Sequence, residues 1–423
     1  MFNALNGMGG GGQVNGDVSA KANTALYACF AVFGVIAGAI HNMLGSKLLM
    51  LIGSLTYVLY AGSYLSYNHT GSSGFSIAAG AILGIGAALL WTAQGAIMMS
   101  YPTEDRKGRF ISTFWVIFNL GGVIGGIIPL IANFHSTARS VNDGTYIAFI
   151  VIMAAASAIP LLMVSPRAMV RDDGTQVVME KSRGVKEEVM GMLKAFTDWR
   201  MLCLLPMFLA SNWFYSYQFD GYNAPLFTVR TRGLNNVFYW GAQMAGALGI
   251  CYYLDSPRFK RSTKAVCSLL AMAVAFCVVW GGGLAQQLQY TAETAKQDID
   301  FTDSSRAAGP IVLYTFYGLL DAILQSWCYW IMGALTNEPS VLARYAGLYK
   351  GVQSAGGAIS WAIASGKVSL LTQLIINWGL LVVAVVPAYF VARQVEDTSS
   401  DKPQQPAADL VQMSDKNFQP PSV

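Results

Sequence analysis

The chain has 423 residues, of which 54% are hydrophobic and only 12% charged, and its mean hydropathy is +0.43. A soluble domain carries about twice that charged fraction, so an ordinary globular domain is excluded. The formal net charge of +4 is small and its carriers are scattered, which argues against a nucleic-acid partner.

The residues at the front include a run, Gly9–Gly12, that looks superficially like a phosphate cradle. No strand precedes it and no Lys-Ser/Thr pair ends it, so it reads as a flexible turn. A bilayer core of about 30 Å needs about 20 apolar residues as helix. About eleven runs meet that need, approximately 22–40, 48–66, 75–99, 110–132, 145–164, 201–219, 234–254, 264–286, 309–333, 343–365 and 369–392. The expected fold is an all-α, multi-pass transmembrane bundle.

Basic residues orient the spans. One set of loops, with the C-terminal tail, holds about 20 lysines and arginines, among them Lys47, Arg106, Lys107, Arg200 and Arg258, and the other side holds 7. The rich side is read as cytoplasmic, which places the C-terminus inside and Met1 outside. The sequon Asn68-His69-Thr70 then falls in an external loop, where Asn68 is a glycosylation candidate. The acidic 287–308 loop also falls outside.

Residues 165–200 form the longest connector. They separate a front part, 1–164, from a rear part, 201–392. Within the connector Val185, Val189, Met192, Leu193 and Phe196 share one helical face. That pattern predicts either an amphipathic helix on the inner leaflet or a short solvated helix. Residues 393–423 read as a disordered cytoplasmic tail. The two parts also share a repeat: Gly108–Ile124 aligns with Ala343–Ile359, with Arg, two aromatics, Gly-Gly and Ile in register. Both copies start on the cytoplasmic side, which implies an axis along the membrane normal.

Asp321 is the acid set near the middle of a long apolar run, Ile311–Ile331. A carboxylate at the bilayer centre costs roughly 2.5–3.5 kcal/mol even on a mild scale, so it must face protein or a wet cavity. It either carries a proton or cation, or serves as a structural partner for Lys350. Gln325 lies one turn on, and Trp327 nearby is expected to add an aromatic wall. Lys350, a few residues inside its span, is expected to snorkel to the cytoplasmic interface, or else to neutralise Asp321. Trp91, Gln94 and Asn119 in the front part, and Asn212, Tyr215, Tyr217 and Gln218 beyond Pro206, complete the polar set. Such amides are either interhelical hydrogen bonds or solute contacts. Gly121-x3-Gly125 and Gly122-x3-Gly126 read as helix packing.

Metal and cofactor chemistry find no support. The three histidines, His41, His69 and His135, all fall in predicted loops on both sides. The six cysteines lie in apolar stretches without ligand spacing and read as buried thiols. No loop brings a nucleophile, a base and an orienting group together, so an enzyme is not expected and no cofactor is implied.

Several segments are nevertheless familiar: Met1–Gln13, Leu90-Trp-Thr-Ala-Gln-Gly95, Ser100-Tyr-Pro-Thr-Glu104, Asn212-Trp-Phe-Tyr215, Arg230-Thr-Arg-Gly-Leu-Asn235 and Tyr345–Gly356. With them the chain resembles the uncoordinated-93-like family of the major facilitator superfamily, in particular its fungal branch, over about Met1 to Ala392. The resemblance implies a twelve-helix fold from which the first helix is missing at the front. It also implies that the fourth- and seventh-helix equivalents, with Trp91, Gln94, Asn212, Tyr215 and Gln218, line a cavity. The loop Gly38–Lys47 resembles the superfamily's cytoplasmic gating motif, with Asn42 where an Asp is usual. The resemblance implies two activities: transport of a small solute or ion by alternating access, or regulation of ion channels and escort of other membrane proteins. Expected partners are therefore the lipid bilayer, a small solute or ion, and in the second case another membrane protein. The plasma membrane and a vacuolar or endosomal membrane fit equally.

Overall fold

The computed structural model describes residues 2–9, 17–132, 134, 143–163, 169–170, 174, 185–295, 298–366 and 368–397. Much of the connector, His135 and nearly all of the tail lie outside these residues. Among the described residues the structure is helical, with one isolated bridge between Phe227 and Ile299. A backbone inside a bilayer has no water to bond, so each span must satisfy its own amides, and helices do so.

The helices are α1 (Phe2–Gly7), α2 (Asp17–Leu44), α3 (Ser46–Thr70), α4 (Ser73–Ser100), α5 (Lys107–Ala132), α6 (Asp143–Ala156), α7 (Val185–Thr197), α8 (Trp199–Ala210), α9 (Ala224–Leu226), α10 (Val229–Asp255), α11 (Arg261–Gln287), α12 (Ser304–Leu335), α13 (Pro339–Ser365) and α14 (Leu370–Arg393). A helical segment occupies each of the eleven expected runs. Eight segments are long and apolar enough to cross a membrane by length and composition. The other three runs coincide with the broken segment around α8, with α10 and with α13. These carry the polar side chains that face the interior, among them Asn212, Gln243 and Lys350. Outward faces are apolar, with Val32, Ile117, Val274, Val278 and Val383 exposed as lipid contacts.

Beside the crossing of α2 with α4, two extensive contacts join the front part to the rear, α2 with α13 and α5 with α10. Both rely on glycine. A methyl at Gly34 of α2 would lie 2.7 Å from Gly351 Cα of α13, and one at Gly347 would lie 2.8 Å from Gly34 O. Gly34-x3-Gly38 thus meets Gly347-x3-Gly351, a reciprocal small-residue interface. In α5, Gly122 and Gly126 face Trp240, Asn236 and Gly233 of α10, whereas nothing lies within 4 Å of a methyl built at Gly121.

One end of the bundle is tied by α7. Glu188, buried on α7, accepts from Arg344 of α13 at 3.1 and 3.2 Å and from Asn42 of α2 at 3.1 Å. Of the apolar face expected for α7, Met192 and Phe196 are half-buried, with Phe196 against the core. Glu188 and Ala195 point into the bundle, and Val189, Met190 and Leu193 are exposed. At the same end Lys107 is buried and donates to Thr336 O at 3.2 Å, Asn337 Oδ1 at 2.7 Å and Gly333 O. It closes the C-terminus of α12, where free carbonyls attract a cation.

Local corrections follow from helix lengths. Asn68 and His69 sit in the last turn of α3 rather than in a loop, because the helix runs on to Gly71, whose φ of +67° closes it. Asn68 remains exposed and donates to Asp143 Oδ1 at 2.8 Å. His41 lies inside α2, buried, with Nε2 2.7 Å from Ser46 Oγ. Cys267 and Cys277 are exposed on the surface of α11, unlike the buried Cys251 and Cys328, because that helix face meets lipid.

Candidate functional site

The polar interior is built around a break in the helix that begins at α8. Pro206 stays within α8; the ladder fails later, over Ser211–Phe214, and resumes as a π-wound segment, Tyr217–Asn223. The kink expected at Pro206 is thus displaced by about a turn. The break is sustained by α13, which supplies the missing partners. Ser360 donates to Trp213 O, and Gln353 Nε2 donates to Ser211 Oγ at 2.9 Å. Irregular backbone at membrane depth persists only where protein satisfies it in this way, and π-winding is frequent at functional sites.

Tyr215 and Asn212 are released inward by that break. Tyr215 OH donates to Asp321 Oδ2 at 2.8 Å. Asp321, 1% exposed, also accepts from Gln243 Nε2 at 2.7 Å, Tyr239 OH at 3.3 Å and Gln325 Nε2 at 2.7 Å. Tyr215, Gln243 and Gln325 each have a proton for Asp321, whereas the one proton of Tyr239 is divided between Asp321 and the nearer Gln218 Oε1. Lys350 does not snorkel. It is 3% exposed and turned inward, with Nζ donating to Gln353 Oε1 at 2.7 Å and lying 4.4 Å from the centroid of Trp91. Its neighbour Gly351 must face α2, and that fixes Lys350 on the cavity side. No direct ion pair joins Lys350 to Asp321. An amide relay does: Lys350 to Gln353, Gln353 Nε2 to Gln325 Oε1 at 3.0 Å, and Gln325 to Asp321.

A cavity of about 50 Å³ adjoins the relay, lined by Asn212, Tyr215, Gln325, Lys350 and Gln353 and walled by aromatics that include Tyr27, Trp91 and Trp115. Phe2 and Asn3 of α1 close one side. A groove of about 250 Å³ between α3, α4, α5 and α6 shares Phe2, Asn3, Tyr57, Trp91 and Phe118 with it. At the end of the bundle away from α7, a separate vestibule of about 720 Å³ is rimmed by Asp17, Asp220 and Glu293.

The structure brings together six of the expected residues: Asp321, Gln325, Tyr215, Asn212, Lys350 and Trp91. Four lie apart. Trp327 is turned away, and its indole donates to Ala265 O of α11 at 3.3 Å. Two residues beyond Gln325 is about 200° round a helix, so it could not share that face. Gln94 lines the groove, with Nε2 3.4 Å from Met98 Sδ. Asn119 is fully buried with neither amide atom bonded. Gln218 accepts from Tyr239 OH at 2.7 Å, one step behind Asp321. Sequence reasoning missed Gln353, Tyr239 and Gln243. Gln353 had a signal, since it stands three residues after Lys350, on the same face. Tyr239 and Gln243 sit one turn apart on α10 but lie far from Asp321 in sequence.

Comparison with known proteins agrees with this architecture. Residues 14–390 match the family described as "Ion channel regulatory protein UNC-93". The chain is 48% identical over 410 residues to UNC93-like protein 1 of Arabidopsis thaliana, covering 95% of this chain and 89% of that one. It is 47% identical over 392 residues to an UNC93-like protein of Schizosaccharomyces pombe, covering 92% and 78%. Among solved structures, the xylose transporter XylE from E. coli, in a partially occluded inward-open conformation, superposes with a TM-score of 0.58 at 13% identity, covering 91% of this chain and 90% of that chain. That likeness shows the fold alone, a major facilitator superfamily bundle. The chain is a multi-pass membrane protein of that fold, and it belongs to the UNC-93 family.

Proposed function

We propose that this protein moves a small solute or ion across the bilayer by alternating access, with Asp321 carrying the coupling proton or cation. The observation that carries the reading is the placement of the cavity. It sits where a helix breaks and where a buried acid and a buried base meet through an amide relay. Residues 1–164 and 201–392 act as two halves that rock about this site, joined by the connector 165–200. The end bearing α7 and the tail is cytoplasmic, as the distribution of basic residues favours. The membrane is the plasma membrane or an endomembrane, and no catalytic step is involved.

Coupling through Asp321 is tested by uptake into proteoliposomes across a pH series. Wild-type uptake should depend on the imposed pH gradient, and Asp321→Asn should flatten that dependence. Equal dependence in both removes Asp321 from the coupling.

A second reading, regulation of an ion channel, is favoured by the family's own description. It predicts a stoichiometric channel partner in a detergent pull-down and no uptake by the purified protein.

A further inference from the structure

The cavity wall carries a formal positive charge and no negative one. Lys350 lines it, and no carboxylate does among the described residues. Asp321 stands behind Tyr215 and Gln325, with its oxygens already bonded by Tyr215, Gln243 and Gln325. Of the three N–H groups of Lys350, one is bonded, to Gln353. The ammonium otherwise looks onto the faces of Trp91 at 4.4 Å, Tyr349 at 5.0 Å and Tyr329 at 5.3 Å. Those faces are where an organic cation would bind, and Lys350 already occupies them. A buried ammonium held by rings and one amide still lacks an anion within contact distance, and burial makes that lack costly.

We propose that the cavity takes a small organic monocarboxylate, held by Lys350 with the Asn212 amide beside it. The size agrees. A cavity of about 150 Å³ holds benzene, which has as many heavy atoms as lactate; the 50 Å³ beside Lys350 takes the carboxylate end, and the adjoining groove of about 250 Å³, which shares Phe2, Asn3 and Trp91 with it, takes the rest. The proposal deepens the transport reading and rests on it for one consequence, the stoichiometry. With Lys350 cationic and Asp321 anionic the empty site is neutral. A bound carboxylate leaves it at minus one, and one proton on Asp321 restores neutrality, the form best tolerated inside a bilayer. The groups facing Asp321 are Tyr27 from α2, Tyr215 from the break, Tyr239 and Gln243 from α10, Gln325 from its own helix, Tyr349 from α13 and, through the relay, Lys350. None of them is a second carboxylate that would compete for that proton. One carboxylate therefore crosses with one proton.

The test measures binding to the purified full chain in detergent at fixed pH, read by tryptophan fluorescence, because Trp91 forms part of the wall. The probes are lactate, its neutral amide lactamide and the cation 2-hydroxypropylammonium. Lactate should saturate, and the other two should bind at least about tenfold more weakly, as expected when a charge-assisted hydrogen bond is lost. Lys350→Gln should bring lactate down to the level of lactamide. The proposal is overturned if lactamide or the ammonium binds as well as lactate, or if none of the three saturates. A well-folded Lys350→Gln that binds lactate like wild type also overturns it. The ranking of the three probes on wild type decides the matter even where the variant does not fold. Lactate that binds but never accumulates in proteoliposomes removes the transport reading and leaves the ligand class. Gradient-driven accumulation of another solute without lactate binding does the reverse.

Discussion

At the scale of single residues, Asp321, Lys350 and Asp300 are each met by a particular set of partners. Asp321 has a phenol and two amides, Lys350 has rings and an amide, and Asp300 has an arginine. Asp300 lies in the loop before α12, outside the spans. Partial burial alone would raise its carboxyl, but Arg230 Nε at 2.7 Å and Nη2 at 3.0 Å, with Thr228 Oγ1 at 2.7 Å, hold it well below the usual carboxylate range. Its contribution to stability is therefore complete above the unfolded carboxylate value of about 4 and is lost as the pH falls through the lower folded value. Asp300→Asn should lower the thermal midpoint at neutral pH, and the gap from wild type should close on acidification below about pH 4. A gap that widens on acidification would show that the pair does not stabilise the fold. Asp321 was legible in the sequence because an acid in an apolar run has no neutral explanation. Gln243 and Tyr239 were not, because an amide or a phenol within a span is common and only the fold brings α10 against α12.

At the scale of elements, α7 combines an apolar stripe with a buried ion pair. The helix turns Glu188 inward, where it joins α2 to α13 through Asn42 and Arg344. The side chains of Glu188 and Arg344 are 3% and 13% exposed. Removing one partner of such a pair leaves a charge without its counterpart, a loss of up to about 3 kcal/mol at a water-facing end. Glu188→Gln should release α7, seen as faster amide hydrogen exchange over residues 185–197, with exchange in α12 unchanged. Unaltered exchange in α7 would mean that the apolar contacts of Met192 and Phe196 hold it unaided. The break after α8 was only partly legible. Pro206 signalled irregularity, but the position of the break is set by Ser360 and Gln353 of α13, about 150 residues further along the chain.

At the scale of the whole molecule, the basic residues predict opposite exposures for two loops. In a background without native cysteines, Glu293→Cys should react with a membrane-impermeant maleimide on sealed vesicles of cellular orientation. Lys260→Cys should react only after permeabilisation. Labelling of both from the same side would overturn the orientation and the direction assigned to alternating access.

What the sequence determined by itself was the solvent: runs of apolar residues commit the chain to lipid, and lipid commits the backbone to helices. It also marked the deep acid and the lysine, because a charge in such a run is costly wherever it ends up. Tertiary structure alone decided how those charges are met. Gly34 and Gly351 let α2 and α13 touch, that contact turns Lys350 inward, and α10 brings Tyr239 and Gln243 to Asp321. The physical reason is that local pattern fixes which face a residue occupies, whereas only packing between helices distant in sequence fixes what that face meets.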